Sequence, residues 1–374
     1  MKNTSKYCHK VILVESRKVQ KVGYSTITVS LPSEWVKQNS IKPGDIVFIV
    51  PEIDGTLRIV PSDLARREEA EEYVINADVC DEKRLLERLI VGSYILGRDV
   101  IRITSTTRIK SECVEEVRGI VQKLIGFGIL EETPKNILLQ CSIDPTKFQM
   151  DMLIRRLSLI ASTIYSEAMQ ALLEGDTTLA ADAISREDEA DIIFFLATRL
   201  LVLAQRKRNI AEKIGFTKLI LIPCTCLILQ YLELIADYSE DIAKRVVELE
   251  KYKEALSKTK LERIYHLGEL TQTTFQKAVD CIFTKDLKIA NSLLEMHEVL
   301  ESALEKEMRE LLGRQIPDCI LRTIVSTLSK IADKGAVIAK LAINTSLMKS
   351  DKQIGKILKI EKHIRTAPLP VKRK

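Results

Sequence analysis

The sequence predicts a multidomain protein that begins with short β-strands, continues with a small α/β domain and ends in helical bundles. Three observations predict this order. Short strands and turns fill 11–61, strands and helices alternate over 63–145, and helical periodicity runs almost throughout 146–349. A chain of 374 residues is long enough for about two or three such domains.

The first segment predicts four short strands around one short helix. Residues 25–30 alternate polar and apolar side chains, as in a half-buried strand. Pro32 precedes a helix expected over 33–39, and Asp54-Gly55 predicts a hairpin between strands at 46–50 and 57–60. Because so short a piece buries little core, we expect it to dimerise or to dock on another domain.

The second segment alternates strands with helices, which predicts a small α/β layer domain. We expect strands at 72–77, 99–104, 128–132 and 136–142, and helices at 82–96 and 111–125. No glycine-rich phosphate loop follows either of the first two strands, and no Ser/His/Asp arrangement is visible. The segment is therefore interpreted as a spacer or dimerisation domain without chemistry of its own.

The third segment contains an internal repeat. Chain breaks at Gly175-Asp176 and Lys285-Asp286 each precede a long helix, and both aspartates are suited to cap it. Long helices are expected over 177–209, 218–250, 287–312 and 318–348. The repeat predicts two three-helix bundles joined near Lys258.

In the first copy of the repeat, Glu187 and Asp191 lie four residues apart, on the apolar face of their helix. That face also carries Ala180, Ala183, Ala190, Phe194 and Leu201. An unpaired carboxylate in such a place is costly, so either a metal ion or ion pairs with bundle lysines and arginines must compensate it. Glu233 and Asp237 repeat the spacing on the third helix, where an ordinary polar face fits nearly as well.

In the second copy, His297 and Glu301 occupy the corresponding positions, among Ala290, Leu293, Leu300, Leu304 and Leu311. Asp333 stands on the last helix, where Ser329 replaces the first acidic residue. His297 is either a metal ligand or a core histidine that is hydrogen-bonded to a neighbour. The two acidic pairs of the first copy could build a carboxylate-rich site for a hard or intermediate divalent ion.

The first segment resembles the swapped-hairpin DNA-binding domain of the AbrB and SpoVT family. The resemblance rests on the order and spacing of residues 17–23, 26–29, 31–32, 35–36 and 41–47, the last reading Ile-Lys-Pro-Gly-Asp-Ile-Val. It implies interleaved hairpins from two chains. It also implies that basic residues face DNA, here Arg17, Lys18, Lys21 and Lys37, with phosphate contacts that are sensitive to salt. A domain that only dimerises is the alternative.

The helical segment resembles PhoU, the regulator of phosphate uptake, over about 150–345, through its tandem three-helix bundles with E/D-xxx-D motifs. With the N-terminal hairpins, the whole chain is similar to an archaeal-type phosphate uptake regulator. Metal ions bind such motifs in that family, which implies Glu187, Asp191, Glu233 and Asp237 as ligands. The second copy departs from the motif, so His297, Glu301 and Asp333 form a weaker or more nitrogen-rich site, or none.

The resemblance implies a regulator of phosphate uptake and phosphate homeostasis, and we expect no enzyme. The Glu-x-x-His pairs of di-iron oxidases are absent beside the acidic pairs. These ligands favour divalent or trivalent metal ions, namely ions of Mg, Mn or Fe, with Zn as a further option. One alternative is an adaptor that does not bind DNA and inhibits a phosphate transporter through its ATPase subunit or another phosphate-sensing partner. Another is a metal-binding scaffold.

Composition narrows the setting in which such a protein works. The net charge of +5 permits contact with nucleic acid without requiring it. Eight cysteines without a CxxC motif suggest free thiols in a reducing cytoplasm, with Cys224 and Cys226 expected in the core. The apolar run 219–229 contains Pro223 and is expected to be too short to cross a bilayer, so no integral membrane protein is expected.

We therefore predict five segments. They are a DNA-binding and dimerisation domain over 1–62, a small α/β domain over 63–145, helical bundles over 146–257 and 258–350, and a basic tail over 351–374. A homodimer is the expected assembly.

Overall fold

The structure of the protein, a computed structural model, describes residues 16–51, 56–62, 72–312 and 315–347. A small β region comes first and most of the remaining chain is helical, which confirms the predicted multidomain architecture. The chain forms two compact units, Met1–Glu71 and Glu72–Lys374. The predicted tail over 351–374 and the Asp54-Gly55 turn lie outside the described residues.

The first unit contains two antiparallel hairpins and one short helix, as predicted to within two residues. Its elements are β1 (Gln20–Val22), β2 (Thr26–Thr28), α1 (Ser33–Gln38), β3 (Val47–Pro51) and β4 (Leu57–Pro61). β1 pairs with β2 and β3 pairs with β4, so the hairpins form two separate sheets. Gly23, with a φ of 68°, supplies the left-handed residue in the first turn.

The described residues of the first unit bury almost none of their apolar side chains. Only Pro61 is buried among them. Ile27, Ile46 and Ile49 expose 71%, 69% and 59% of their surface, and Tyr24 is fully exposed. Ile27 lies between two threonines in β2, whereas Ile46 and Ile49 belong to the continuous apolar run 46–50. Each hairpin therefore presents apolar side chains that no described residue of the unit covers.

The second unit begins with a four-stranded sheet. Its elements are β5 (Glu72–Asn76), α2 (Leu85–Ile95), β6 (Val100–Thr104), α3 (Ser111–Lys123), β7 (Phe127–Glu132) and β8 (Asn136–Cys141). The strand order is β5-β6-β8-β7, with β5 and β6 parallel and the other pairs antiparallel. A parallel pair needs a long crossover, and α2 provides it. Ile101 and Ile103 of β6 share one buried core with Ile90 of α2 and Val117 of α3, which confirms the α/β layer.

The helical part of this unit follows. Its helices are α4 (Met150–Glu174), α5 (Thr177–Ser185), α6 (Glu187–Arg206), α7 (Arg208–Lys213), α8 (Ile222–Leu249), α9 (Lys258–Thr284), α10 (Leu287–Glu310) and α11 (Ile316–Ser346). α4 packs with α6 and α8, and α9 packs with α10 and α11. The two sets meet through α8 against α11 and α4 against α9. Asp176 and Asp286 cap α5 and α10, as predicted.

The predicted continuous helix over 177–209 is wrong, because the chain breaks twice in that range. At Arg186 the backbone N–H is shared between the carbonyls of Asp182 and Ala183, both at 3.3 Å, so the helical register is interrupted. Lys207 is extended and separates α6 from α7. As a result Glu187 lies in the first turn of α6, where Glu187, Asp188 and Glu189 meet the positive end of the helix dipole.

The segment Leu219–Ala255, which contains α8, is by length and composition able to cross a membrane, since an 18-residue stretch within it has a mean hydropathy of 2.1. The expectation that the apolar run is too short was therefore wrong about its length. α8 nevertheless packs against α4, α5, α6 and α11, as a core helix of a bundle does, and one such helix is weak support for a membrane span. The expected core position of Cys226 is also wrong, because Cys226 is exposed and Cys224 only half-buried.

Candidate metal centre

The first two turns of α6 carry three carboxylates that lie close together. Glu187, Asp188 and Asp191 each offer one oxygen, and these oxygens all lie within 4.8 Å of one another. Glu187 and Asp191 are half-buried, whereas Asp188 is exposed. The break at Arg186 brings Asp188 into the group, because it places all three residues in the first two turns of a new helix.

The second predicted pair, on α8, lies close enough to interact electrostatically with the first. Burial, followed by repulsion from the charges of Asp237, Asp191 and Glu187, raises the pKa of Glu233 to about 8. Its carboxylate also accepts a hydrogen bond from Gln230, whose Nε2 donates to Oε2 at 2.6 Å. Thus α6 and α8 bring Glu187, Asp191, Glu233 and Asp237 within electrostatic range, as one acidic cluster. The closely spaced oxygens within 4.8 Å of one another belong to Glu187, Asp188 and Asp191 and do not include those of Glu233 and Asp237.

The other members of this cluster are perturbed in the same direction. Burial, followed by repulsion from Asp191, raises the pKa of Glu187 to about 7. Burial, followed by repulsion from Asp191 and Glu240, raises the pKa of Asp237 to about 6. Burial also raises the pKa of Asp191, although Lys123 opposes this. Burial and mutual repulsion therefore oppose ionisation of these carboxyl groups, and a bound cation would favour their ionised forms.

A lysine of the α/β layer contacts this cluster, which sequence reasoning missed. Lys123, the last residue of α3, forms an ion pair with Asp188 and a second, at 3.3 Å, between its Nζ and Asp191 Oδ2. Its side chain is 28% exposed. No pattern in the linear sequence links Lys123 with residues so far along the chain, so only the folded chain reveals this contact.

The second copy of the repeat also brings its three candidate ligands together. One atom each from His297, Glu301 and Asp333 lies within 4.8 Å of the others. His297 Nε2 is 3.3 Å from Asp333 Oδ1, and Ser329 Oγ donates to Glu301 Oε1 at 2.9 Å. Ser329 thus fills part of the space that a carboxylate would occupy in the acidic motif.

Two polar atoms of this second cluster are buried without a partner. Within the described part of the chain, neither His297 Nδ1 nor Glu301 Oε2 has a hydrogen bond. Unpaired buried polar atoms are costly, so they fit a site that is completed by a ligand. The oxygen-only set of the first cluster suits a hard cation, whereas the imidazole nitrogen of the second suits a softer transition metal.

The residues predicted to face DNA are all exposed. Arg17 and Lys18 precede β1, Lys21 lies within β1, and Lys37 lies on α1. The structure therefore leaves each of them accessible to a ligand at the surface of the first unit.

Comparison with known proteins gives matches to the first unit and to the helical part of the chain. The model of the PhoU domain matches residues 154–246. The model described as antidote-toxin recognition MazE, bacterial antitoxin, matches residues 20–66. No curated protein matches the chain.

Two solved structures are similar to the helical part. The crystal structure of PhoU from Pseudomonas aeruginosa is 18% identical, with a TM-score of 0.47, and the match covers 54% of this chain and 96% of that one. The phosphate transport system regulatory protein PhoU from Streptococcus pneumoniae is 16% identical, with a TM-score of 0.46, and the match covers 54% and 94%.

The two family matches contain some of the residues that sequence analysis singled out, whereas Arg17, Lys18, His297, Glu301 and Asp333 lie outside them. The PhoU match contains Glu187, Asp191, Glu233 and Asp237. The antitoxin match contains the hairpins β1–β2 and β3–β4 with Lys21 and Lys37. The chain thus matches the MazE antitoxin model near its N-terminus and the PhoU domain model in its helical part, the second as its sequence motifs predicted.

Proposed function

We propose that the protein regulates phosphate uptake and phosphate homeostasis through metal-binding helical bundles. The observation that carries this proposal is the acidic cluster, in which α6 and α8 of the PhoU domain gather Glu187, Asp191, Glu233 and Asp237. PhoU proteins are regulators, and the same role is proposed here in place of an enzymatic one. Asp188 joins the proposed ligand set because its oxygen lies within 4.8 Å of those of Glu187 and Asp191.

Carboxylate oxygens are the ligands that Mg, Mn and Fe ions prefer, so these are the metals proposed for the first cluster. His297, Glu301 and Asp333 are proposed as a second site, in which an imidazole nitrogen also admits Zn. A bound ion would supply positive charge that neutralises the carboxylates. It would also offer coordination positions to an oxygen anion such as phosphate, which connects metal occupancy with phosphate status.

Metal analysis of protein that is purified without chelator tests the proposal. We expect about one or more tightly bound ions per chain and their loss in a Glu187→Ala/Asp191→Ala variant. The matched control is Asp182→Ala/Glu189→Ala, which removes two exposed carboxylates from α5 and α6. Absence of metal from the wild type, even after reconstitution with Mn, Fe or Mg, would leave these carboxylates as ion-paired structural groups and defeat the proposal.

We propose that the first unit forms a homodimer and binds DNA. The exposed apolar faces of its hairpins support dimerisation, because a second copy would remove side chains such as Ile27 and Ile46 from water. The exposed cations Arg17, Lys18, Lys21 and Lys37 support phosphate contacts. Retention on duplex DNA that falls steeply as salt increases tests this part of the proposal.

An adaptor that inhibits a phosphate transporter through its ATPase subunit is the alternative for the same bundles. Its first unit would dimerise without binding DNA, so absence of DNA retention at low salt would favour it. A metal-binding scaffold would bind metal without any partner. All three functions fit a protein that works in the cytoplasm, which is where we expect this regulator to act.

A further inference from the structure

Lys123 bridges two of the three carboxylates at the start of α6. Its ammonium contacts Asp188 Oδ1 and lies 3.3 Å from Asp191 Oδ2. Those two aspartates, with Glu187, are the residues whose oxygens lie within 4.8 Å of one another. The lysine comes from α3 of the α/β layer, so an element outside the bundle supplies the counter-charge.

This lysine is a cation at neutral pH. Burial alone would lower the pKa of Lys123, but the hydrogen bond to Asp188 and the attraction of Asp191 outweigh burial and raise it. Arg84, the residue before α2, adds a second positive charge from the same layer, because it also interacts electrostatically with Asp191. The α/β layer therefore presents positive charge to the oxygens that a metal ion would need.

A second ionic attachment holds the α/β layer to α6 at a distance from the cluster. Arg199 is 1% exposed, and its Nη1 donates to the carbonyls of Tyr94 at 2.6 Å and Arg98 at 3.0 Å, while Nη2 pairs with Asp99. Arg199 lies two helical turns beyond Asp191, or about 12 Å along the helix. It does not contact the candidate ligands, so it can keep the layer attached when the Lys123 contacts break.

We propose that Lys123 is a built-in competitor for the metal, so that a cation binding to Asp188 and Asp191 displaces its ammonium and releases the C-terminal end of α3. Two cations cannot share these oxygens without strong repulsion at this separation. Lys123 therefore sets the metal affinity of the cluster and makes its occupancy detectable in the α/β layer. The inference rests on the proposed function, since it requires that the acidic cluster binds a metal ion.

Substitution of Lys123 by methionine tests the competition in the full-length protein. Methionine keeps an unbranched apolar side chain and removes the charge. We expect Lys123→Met to bind Mn²⁺ about 10- to 100-fold more tightly than wild type in a calorimetric titration, within the usual range of coupling between two sites. Lys123→Arg, which retains the cation, should keep an affinity close to that of wild type.

Lys110→Met is the matched control. Lys110 immediately precedes the other end of α3 and pairs with Asp81 at 2.7 Å, so its loss also removes one lysine–aspartate contact from the same helix. Its effect on Mn²⁺ affinity should be negligible. Amide hydrogen exchange gives a second readout, since Mn²⁺ should speed exchange around residues 118–127 of the wild type. In Lys123→Met that exchange should already be fast without metal.

The outcomes separate this inference from the proposal on which it rests. Mn²⁺ binding to the wild type with an unchanged or lower affinity in Lys123→Met would overturn the competition and leave the metal site standing. The proposed competition would also be overturned if Mn²⁺ left the amide hydrogen exchange of α3 unchanged. Absence of Mn²⁺ binding in the wild type and in every variant would overturn both the inference and the proposed metal function.

Discussion

Neutralising Glu233 should stabilise the metal-free protein and weaken its metal binding, two effects of opposite sign from one substitution. The folded-state pKa of Glu233, about 8, lies above its ordinary value of 4.5, because burial and then neighbouring carboxylates oppose ionisation. Between these two values the folded state binds more protons than the unfolded state, so the stability contributed by this group falls as pH rises. The loss begins near pH 4.5 and is complete above about pH 8.

The size of this loss follows from the difference between the two pKa values. One pKa unit corresponds to about 1.36 kcal/mol, so the full difference would be roughly 5 kcal/mol. Glu233 is only half-buried, and solvent screening reduces the expected contribution to about 1–2 kcal/mol. Glu233→Gln removes the ionisation and should therefore raise the unfolding temperature by roughly 2–3 °C at about pH 8.5 and by much less at about pH 5.

Thermal unfolding followed by far-ultraviolet circular dichroism measures this effect in chelator-treated protein. The matched control is Glu248→Gln, which changes a half-buried glutamate of the same helix, α8, that pairs with Arg245 at 2.7 Å instead of with other carboxylates. In parallel, Glu233→Gln should weaken Mn²⁺ binding because it removes one anionic ligand. Equal unfolding temperatures for Glu233→Gln and wild type at about pH 8.5 would refute the reasoning that uncompensated charge in this cluster destabilises the metal-free fold.

Two further predictions concern the packing between the helical sets and the surface of the first unit. Gly268→Ala should destabilise the protein by about 1–3 kcal/mol in a denaturant titration, because the new Cβ would collide with Met169 Cε and lie 3.2 Å from the Tyr165 hydroxyl. The control is Gly119→Ala in α3, whose new Cβ meets nothing within 4 Å, so this variant should be neutral or slightly stabilising. A stable Gly268→Ala variant would show that α4 and α9 can separate at that point. Lys21→Ala/Lys37→Ala should reduce the slope of log affinity against log salt for duplex DNA by about 1–2 without altering the mass of the assembly, and an unchanged slope would exclude these lysines as phosphate contacts.

Local patterns were sufficient to predict most of the secondary structure. The alternation in 25–30 predicted β2, and the Asp54-Gly55 signal predicted that β3 and β4 pair as a hairpin. The α/β strands fell within about two residues of their observed positions. The helix breaks before Asp176 and Asp286 were predictable because an aspartate cap is a local hydrogen-bonding feature. The break at Arg186 was not, since residues 177–209 have good helix formers throughout and no glycine or proline marks the interruption.

Periodicity also predicted which carboxylates belong together on each helix. A four-residue spacing stacks side chains on one face whatever the tertiary fold, so the pairs Glu187/Asp191 and Glu233/Asp237 could be identified from the sequence alone. The same argument placed His297 and Glu301 among buried leucines, and Leu300 and Leu304 are indeed 3% and 0% exposed.

Which helices lie beside one another depended on long-range packing that no local sequence pattern encodes. Burial, followed by repulsion from neighbouring carboxylates, raises the pKa values of Glu187 and Glu233, and this burial depends on the packing of α6 against α8. Lys123 reaches Asp191 only because the α/β layer docks on α6, where the buried Arg199 attaches it. Residue types and spacings thus identified the candidate ligands. Contacts between segments far apart in sequence decided the electrostatic balance around these ligands and brought in the lysine that we propose competes for them.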